Sequence, residues 1–455
     1  MLQDGLIYQD SHMSSTEDFI RGLQPFTPGD GGNHSSGGPV LFADGKRLYT
    51  DSSESHTLIS GDTGSGKTLR YILPMIYSCA DAGESMIIVD PKGELASKAT
   101  PFLREKGYRP IIINLRNPQK SPDSFNPFEQ VNKLYFSIPR DGNKAILLLN
   151  DLIDKLFYRR SSADKDQYWN ESAGQFALGL SLLTLKFGEK LTINKLLDWR
   201  YKKYADGTLK KAFDDLPTDS EVYQNLAGVM ALTAENTKSC ILSTFDQLIR
   251  MFKAAPALTD MLSKSTFDVD DIGVKKMAVF LVVPDEKTTF HFLATLFISQ
   301  CYESLVEMAD LLGGKLPVRV NFILEEFCNM PTMTDILSML TAARSRNIRF
   351  HLVIQSYEQL VDKYDEHVSK TILDNCATLI YLHSRELSFL QYISQLAGNN
   401  EFNRPLLPVS RLQRIQKNEN IIFRDRCYPY IVKDVPMIFD YQVELGSVMP
   451  QKSQK

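Results

Sequence analysis

Short apolar runs recur along the chain at 57–60 (TLIS), 86–90 (MIIVD), 110–114 (PIIIN), 279–283 (VFLVV), 318–324 (VRVNFIL), 349–354 (RFHLVI) and 377–382 (ATLIYL). Each is apolar at successive positions, not alternate ones. That pattern predicts strands covered on both faces, and the helical stretches between most of them predict a mainly parallel sheet in an α/β domain. Residues 131–265 break the alternation. Ala145-Ile146-Leu147-Leu148-Leu149 continues at helical spacing to Leu152, Ile153 and Leu156, Trp169 to Leu185 does the same, and no strand-like run intervenes. An all-helical insertion is expected there, with the α/β domain split into 41–130 and 266–440. Residues 1–40 are polar and Gly-rich, ending in Pro28-Gly29-Asp30-Gly31-Gly32-Asn33 and Gly37-Gly38-Pro39, and are expected to form a flexible arm. Leu41-Phe42-Ala43 and Arg47-Leu48-Tyr49 flank Asp44-Gly45, which predicts a small hairpin. Residues 441–455 are a short C-terminal tail.

Composition narrows this picture. With 43% hydrophobic residues in 455, the chain has ample material for packed cores, which excludes a wholly disordered protein. Lys and Arg number 51 against 55 Asp and Glu, so any nucleic-acid surface must be local. Six scattered cysteines form no CxxC pair, and the seven histidines show no metal-ligand spacing. A zinc site and a disulfide scaffold are both unsupported, and a reducing cytosol fits best. No run reaches the ~18 apolar residues of a membrane span. The nearest, Phe290 to Cys301, is interrupted by Thr295, Ser299 and Gln300. No signal-peptide pattern opens the chain, so it is expected to be soluble and cytoplasmic.

The sharpest chemical signal is Gly61-Asp62-Thr63-Gly64-Ser65-Gly66-Lys67-Thr68. It matches G-x-x-x-x-G-K-[ST] between a strand and an apolar helix, Leu69 to Cys79. Glycines there let backbone N–H groups turn inward around phosphates, and the helix N-terminus adds partial positive charge. Lys67 would reach the β- and γ-phosphates of ATP, and the Thr68 hydroxyl would hold Mg2+. Such a loop needs a carboxylate on a neighbouring strand. Val320-Asn321-Phe322-Ile323-Leu324 followed by Glu325-Glu326 supplies two at a strand's carboxyl end. Glu325 is expected on the Mg2+ side, acting through water, and Glu326 as general base. Gln355, after a further strand, can sense the γ-phosphate or position water. Arg344 and Arg346 precede that strand. Either they simply favour a helix C-terminus, or Arg346 is an arginine finger reaching a neighbouring subunit's nucleotide.

Taken with further segments, these residues resemble the type IV secretion coupling proteins, the conjugative DNA-transfer ATPases. Ile88-Val89-Asp90-Pro91-Lys92-Gly93-Glu94 is similar to that family's DPKGE segment. Ser124-Phe125-Asn126-Pro127-Phe128, Tyr168-Trp169-Asn170-Glu171-Ser172-Ala173 and Phe280-Leu281-Val282-Val283-Pro284-Asp285 follow in the family's order. So do Leu324-Glu325-Glu326-Phe327-Cys328-Asn329, Arg344-Ser345-Arg346 and Ile354-Gln355-Ser356, and the likeness runs from about residue 40 to 435. The resemblance implies a RecA-like P-loop domain, Mg2+-dependent and DNA-stimulated ATP hydrolysis, and a hexamer at the cytoplasmic face of the cell membrane. It also implies delivery of relaxase-bound DNA to a secretion channel. Two features depart from the family. Glu325 stands where an aspartate is usual, and no N-terminal membrane anchor is present in this sequence. Two rival readings follow: a nucleotide-binding substrate receptor with little hydrolysis, and an ATPase that energises channel assembly.

DNA contact needs cations for phosphates and aromatic faces for bases. Two segments of the insertion offer both: Phe157-Tyr158-Arg159-Arg160 and Trp199-Arg200-Tyr201-Lys202-Lys203-Tyr204. The competing expectation for each is a solvated helix face packing its stems over apolar surface.

Overall fold

The computed structural model describes residues 11–28, 35–138, 141–157, 167–284, 286 and 290–433. Its contacts divide the chain into two units, one of residues 1–112 and 269–455, the other Ile113–Asp268.

The first unit is built on the apolar runs. Strands β1 (Gln24–Phe26), β2 (Val40–Asp44) and β3 (Arg47–Thr50) form a small sheet in the order β1-β3-β2. A second sheet contains β4 (Thr57–Ser60), β5 (Ser85–Asp90), β6 (Pro110–Asn114), β7 (Ala278–Val282) and β8 (Val320–Leu324). It is completed by β9 (Ile348–Ile354), β10 (Thr378–Tyr381), β11 (Glu419–Arg424) and β12 (Tyr430–Lys433). The order is β12-β11-β10-β4-β9-β8-β5-β7-β6. Neighbours from β10 to β7 run parallel, with Leu58 opposite Leu352 and Ile87 opposite Phe322. The β10-β11 and β11-β12 pairs are antiparallel. Every residue of β4, β5, β7, β8, β9 and β10 is buried, the signature of a sheet covered on both faces. The mainly parallel α/β expectation therefore holds, and the antiparallel edge β11-β12 is an addition to it. The strand order sets the carboxyl ends of β4, β9, β8 and β5 side by side, and they carry Gly61, Gln355, Glu325 and Asp90.

The flexible-arm expectation needs correction over the described part of 1–40. A helix, Thr16–Ile20, is capped by the Ser15 hydroxyl, which accepts the Asp18 amide at 3.1 Å. Its Phe19 is buried and stacks on Tyr430 with ring centroids 4.2 Å apart. Strand β1 pairs with β3. Gly37 is present for close approach, since a Cβ there would lie 2.4 Å from the Cys79 Cα. Polar composition concealed an arm fastened by one aromatic residue and by backbone bonds. The hairpin of β2 and β3 forms as expected around Asp44-Gly45.

The second unit is helical throughout most of its described residues. Its central helix, Gln167–Lys186, is buried continuously from Phe176 to Leu185. This unit opens earlier than the 131 suggested by periodicity. Asn126 Nδ2 and Asn132 Nδ2 both donate to the Leu191 carbonyl at 3.0 Å, and the Phe125 amide donates to the Met261 carbonyl at 3.2 Å. The segment 113–128 carries no helical pattern but is bonded into the helices. Trp199 also departs from expectation. It is buried, with its indole N–H on the Thr184 hydroxyl at 2.9 Å, so it presents no free face to a base. Tyr201 is covered by the Lys253 ammonium, 3.8 Å from its ring centroid. The solvated-face reading fits this segment better. Tyr158, Arg159, Arg160 and Asp285 lie outside the described residues.

Candidate nucleotide site

Strand β4 delivers the chain to Gly61, where the Gly61 amide donates to the Ile354 carbonyl of β9 at 3.3 Å. A tight loop follows, with Gly64 at φ 80° and Gly66 at φ 95°, values that exclude most side chains. A Cβ on Gly61 would stand 2.6 Å from Ser65 Oγ and 2.9 Å from Leu382 Cβ, so a side chain at that position would crowd both. The Ser65 hydroxyl is itself buried with no hydrogen-bond partner among the described residues. Beyond the loop the chain winds through a wide π-type turn, Thr68–Ile72, into the helix Leu73–Asp81. Lys67 is buried, its ammonium donating to the Gly61 carbonyl and to that of Asp62 at 3.2 Å. Burial lowers the Lys67 pKa, opposed by the nearby charges of Glu326, Glu325 and Asp62.

The acids arrive from β8. Thr68 Oγ1 donates to Glu325 Oε1 at 2.7 Å, joining two residues 257 positions apart in sequence. Burial pushes the Glu325 carboxyl up to about 7, with Asp90 and Glu326 adding repulsion and the Thr68 hydroxyl opposing. Glu326 holds a left-handed backbone, φ 55° and ψ 44°, uncommon for a residue with a side chain. Gln355, at the end of β9, bridges the loop and the acids. Its Nε2 donates to Glu326 Oε1, and its Oε1 accepts the Thr63 hydroxyl at 2.9 Å. The geometry thus brings together Thr63, Lys67, Thr68, Glu325, Glu326 and Gln355.

Arg346 stands apart. It lies in a short turn, Arg344–Arg346, before β9, at the opposite edge of the sheet from Gln355. Its guanidinium meets the Ala342 carbonyl at 3.1 Å and Asp310 at 3.5 Å, so one chain does not bring it to the phosphate loop.

Two residues escaped the site reading. Asp90 ends β5, beside β8, and is buried. Its Oδ2 accepts the Ala96 amide at 2.8 Å, and burial raises its pKa even against the amides around it. The signal was present, since MIIVD is an apolar strand ending in an acid, as FILEE is. His383 Nδ1 lies 2.8 Å from Asp62 Oδ2 at the lip of the loop, and nothing in the sequence pattern marks that pairing.

A glycine cradle, a buried lysine and a hydroxyl touching a carboxylate suit a nucleoside triphosphate with a hard divalent cation, which prefers oxygen donors.

The comparisons agree with this architecture. The family model described as type IV secretory system conjugative DNA transfer matches residues 16–418. A Protein VirD4 of Rhizobium rhizogenes is 22% identical over 426 residues, 91% of this chain and 59% of that protein. A Protein VirD4 of Agrobacterium fabrum (strain C58 / ATCC 33970) is 22% identical over 396 residues, 84% of this chain and 55% of that one. The chain thus spans less than two thirds of the length of these curated relatives. The solved structure of the plasmid coupling protein TrwB with the ATP analogue ADPNP superposes with a TM-score of 0.67 at 16% identity, covering 93% of both chains. VirB4 of Thermoanaerobacter pseudethanolicus superposes at 0.53 and 16% identity, over 91% of this chain and 100% of that one. At such identities the likeness shows a shared fold.

Proposed function

Because this chain belongs to the type IV secretory system conjugative DNA transfer family, we propose that it is an ATP-hydrolysing coupling protein. It would recruit a relaxase–DNA substrate and deliver it to a secretion channel. The observation that carries the reading is the 2.7 Å bond between Thr68 and Glu325, with Glu326 tied to Gln355 beside it. A phosphate loop and its acids, distant in sequence, form one centre. TrwB has been solved with ADPNP and with ADP and Mg2+, which supports ATP and Mg2+ as ligands here.

In this reading the loop amides and Lys67 bind the triphosphate, and the Lys67 charge stands against the β- and γ-oxygens. Thr68 and Glu325 would hold Mg2+, the carboxylate through water; the ion supplies charge that stabilises the transferring phosphoryl group. Glu326 takes the proton of the attacking water as general base, and Gln355 orients that water. Arg346 completes the centre only from a neighbouring copy, as an arginine finger in a homo-hexamer. Turnover should then rise steeply with protein concentration. The working place is the cytoplasmic face of the cell membrane, beside channel components; among the described residues no helix is long and apolar enough to cross a membrane. Single-stranded DNA should stimulate hydrolysis.

Glu325 supports a second reading. Its side chain is one methylene longer than the aspartate usual in the family, which changes the geometry on the Mg2+ side, as suits a nucleotide-binding receptor with little turnover. A channel-assembly ATPase is disfavoured by the family match over residues 16–418 and by the segments Asp90-Pro91-Lys92-Gly93-Glu94 and Trp169-Asn170-Glu171-Ser172-Ala173. Phosphate release, measured with and without single-stranded DNA, separates these. Lys67→Ala should abolish it, and equal hydrolysis by wild type and this variant would refute the site.

A further inference from the structure

The left-handed turn at Glu326 needs an external hold. A non-glycine residue in that region is strained and persists only where its surroundings impose it. Within the turn, the Asn329 amide donates to the Glu326 carbonyl at 2.8 Å and the Met330 amide to the Phe327 carbonyl at 3.4 Å. One hold is His291, whose Nδ1 lies 2.7 Å from the Asn329 carbonyl, and the others come from the helix that follows Gln355, Tyr357–Asn375. Its Lys363 ammonium donates to the Cys328 carbonyl at 2.6 Å and to the Met330 carbonyl. The next residue, Tyr364, accepts the Met333 amide at 3.2 Å and stacks on Phe327, ring planes 6° apart. Thr332 Oγ1 reaches the Lys363 carbonyl at 3.4 Å.

Lys363 has no carboxylate within ion-pair distance among the described residues. Its charge is partly withdrawn from water, which lowers its pKa, and it is satisfied by two carbonyls immediately after the catalytic turn. The helix is also broken close by. Asp365 sits at φ 65° and ψ 168°, a strained conformation for a residue with a side chain, and its carboxylate restarts the helix by accepting the Val368 amide at 2.9 Å. Strain at Glu326 and at Asp365 therefore flanks one cation. The first segment of the helix begins beside Gln355, which bonds the Glu326 side chain, and ends at Lys363 and Tyr364, which bond the chain behind it.

We propose that Lys363 is a positioning residue for Glu326: its ammonium, by gripping the Cys328 and Met330 carbonyls, fixes the turn from which the Glu326 carboxylate projects. This rests on the ATPase reading above. Lys363→Met removes the donor and keeps the length of the stem. In the full chain its kcat should fall about 10-fold, with KM within about twofold, since an interaction that aims the base acts on the chemical step. Lys363→Arg, which restores donors, should recover most of the loss. In a Glu326→Gln background, Lys363→Met should cost nothing more, because the group it aims is gone. Independently of turnover, amide exchange at 327–330 should quicken about 10-fold in Lys363→Met. Three results would overturn the proposal: kcat unchanged, an equal loss in the wild-type and Glu326→Gln backgrounds, or unaltered exchange at 327–330. A wild-type chain that binds no ATP and releases no phosphate would instead bring down the ATPase reading, while the exchange measurement still decides whether Lys363 holds the turn.

Discussion

The two edges of the large sheet handle buried charge in opposite ways. At the amino edge of β8 and β9, Arg349 is 1% exposed, yet every donor it carries is used. Its Nη2 meets Glu84 Oε2 and the Gly37 carbonyl, both at 2.9 Å, its Nε meets Asn321 Oδ1 at 2.9 Å, and its Nη1 meets the Asp51 and Ser53 carbonyls. Glu84 in turn accepts the Gly37 amide and Asn321 Nδ2, both at 2.9 Å. Burial would raise the Glu84 pKa, but Arg349 and Arg319 hold it below the usual range. At the carboxyl edge, the far end of the same strands, Glu325 is pushed up to about 7 and Glu326 sits in a left-handed turn. There the Ser65 and Ser60 hydroxyls are buried without partners among the described residues. One edge has matched its charges to partners in its own chain. The other keeps charge and donors uncompensated, as expected where a charged ligand completes the set. Chemistry in this sheet is read from what is unmatched, and architecture from what is matched.

Breaking the matched edge should cost the most stability. Arg349→Met strands the Glu84 carboxylate in the interior, and about 3–5 kcal/mol should be lost in urea unfolding. The folded fraction should still bind ATP with wild-type affinity. A loss under about 1 kcal/mol would mean that water or Arg319 already satisfies Glu84.

Acid should act on this edge next. His56 accepts the Phe350 amide at Nδ1 and sits 2.7 Å from the Leu340 carbonyl through Nε2, an arrangement suited to the neutral ring. Burial lowers its pKa to about 4. Its contribution is complete above the unfolded value near 6.5 and is lost as pH falls toward 4, because the unfolded chain then binds the extra proton. That amounts to roughly 3 kcal/mol across the window. His351, also buried and depressed, acts in the same direction. Unfolding curves at successive pH values test this; a stability flat from pH 7 to pH 5 contradicts it.

The smallest effect has the opposite sign and belongs to the other edge. Glu325 has a raised pKa, so its ionised form penalises the folded state as pH climbs from about 4.5 through 7. Glu325→Gln should therefore stabilise the chain at pH 8 by about 1–3 kcal/mol, and by nothing below about pH 4.5. Destabilisation at pH 8 would show that the Thr68 bond outweighs the penalty.

Legibility in the sequence followed how local each feature was. The phosphate loop lies in eight consecutive residues, and Glu325-Glu326 follow a strand in plain view, so the parts of the candidate site that the fold brings together could be picked out one by one. Strand β11, whose Asn420-Ile421-Ile422-Phe423 is as apolar as β4, escaped notice because it is followed by an antiparallel turn instead of a helix. Asp90 was visible as part of a family segment, but its place beside Glu325 depends on β5 pairing with β8. The partners of Arg349 come from residues 37, 51, 53, 84 and 321, and no spacing rule connects them. The helix of the arm rests on Phe19, which composition cannot distinguish from a solvated aromatic.

The most direct test compares wild type and Glu326→Gln for Mg2+-dependent phosphate release from ATP, with ATP affinity measured on the same samples. The variant should bind ATP as wild type does and release phosphate at least about 100-fold more slowly, the scale of a lost general base. Equal release by the two proteins would contradict the claim that the loop after β4 and the acids after β8 form a single hydrolytic centre.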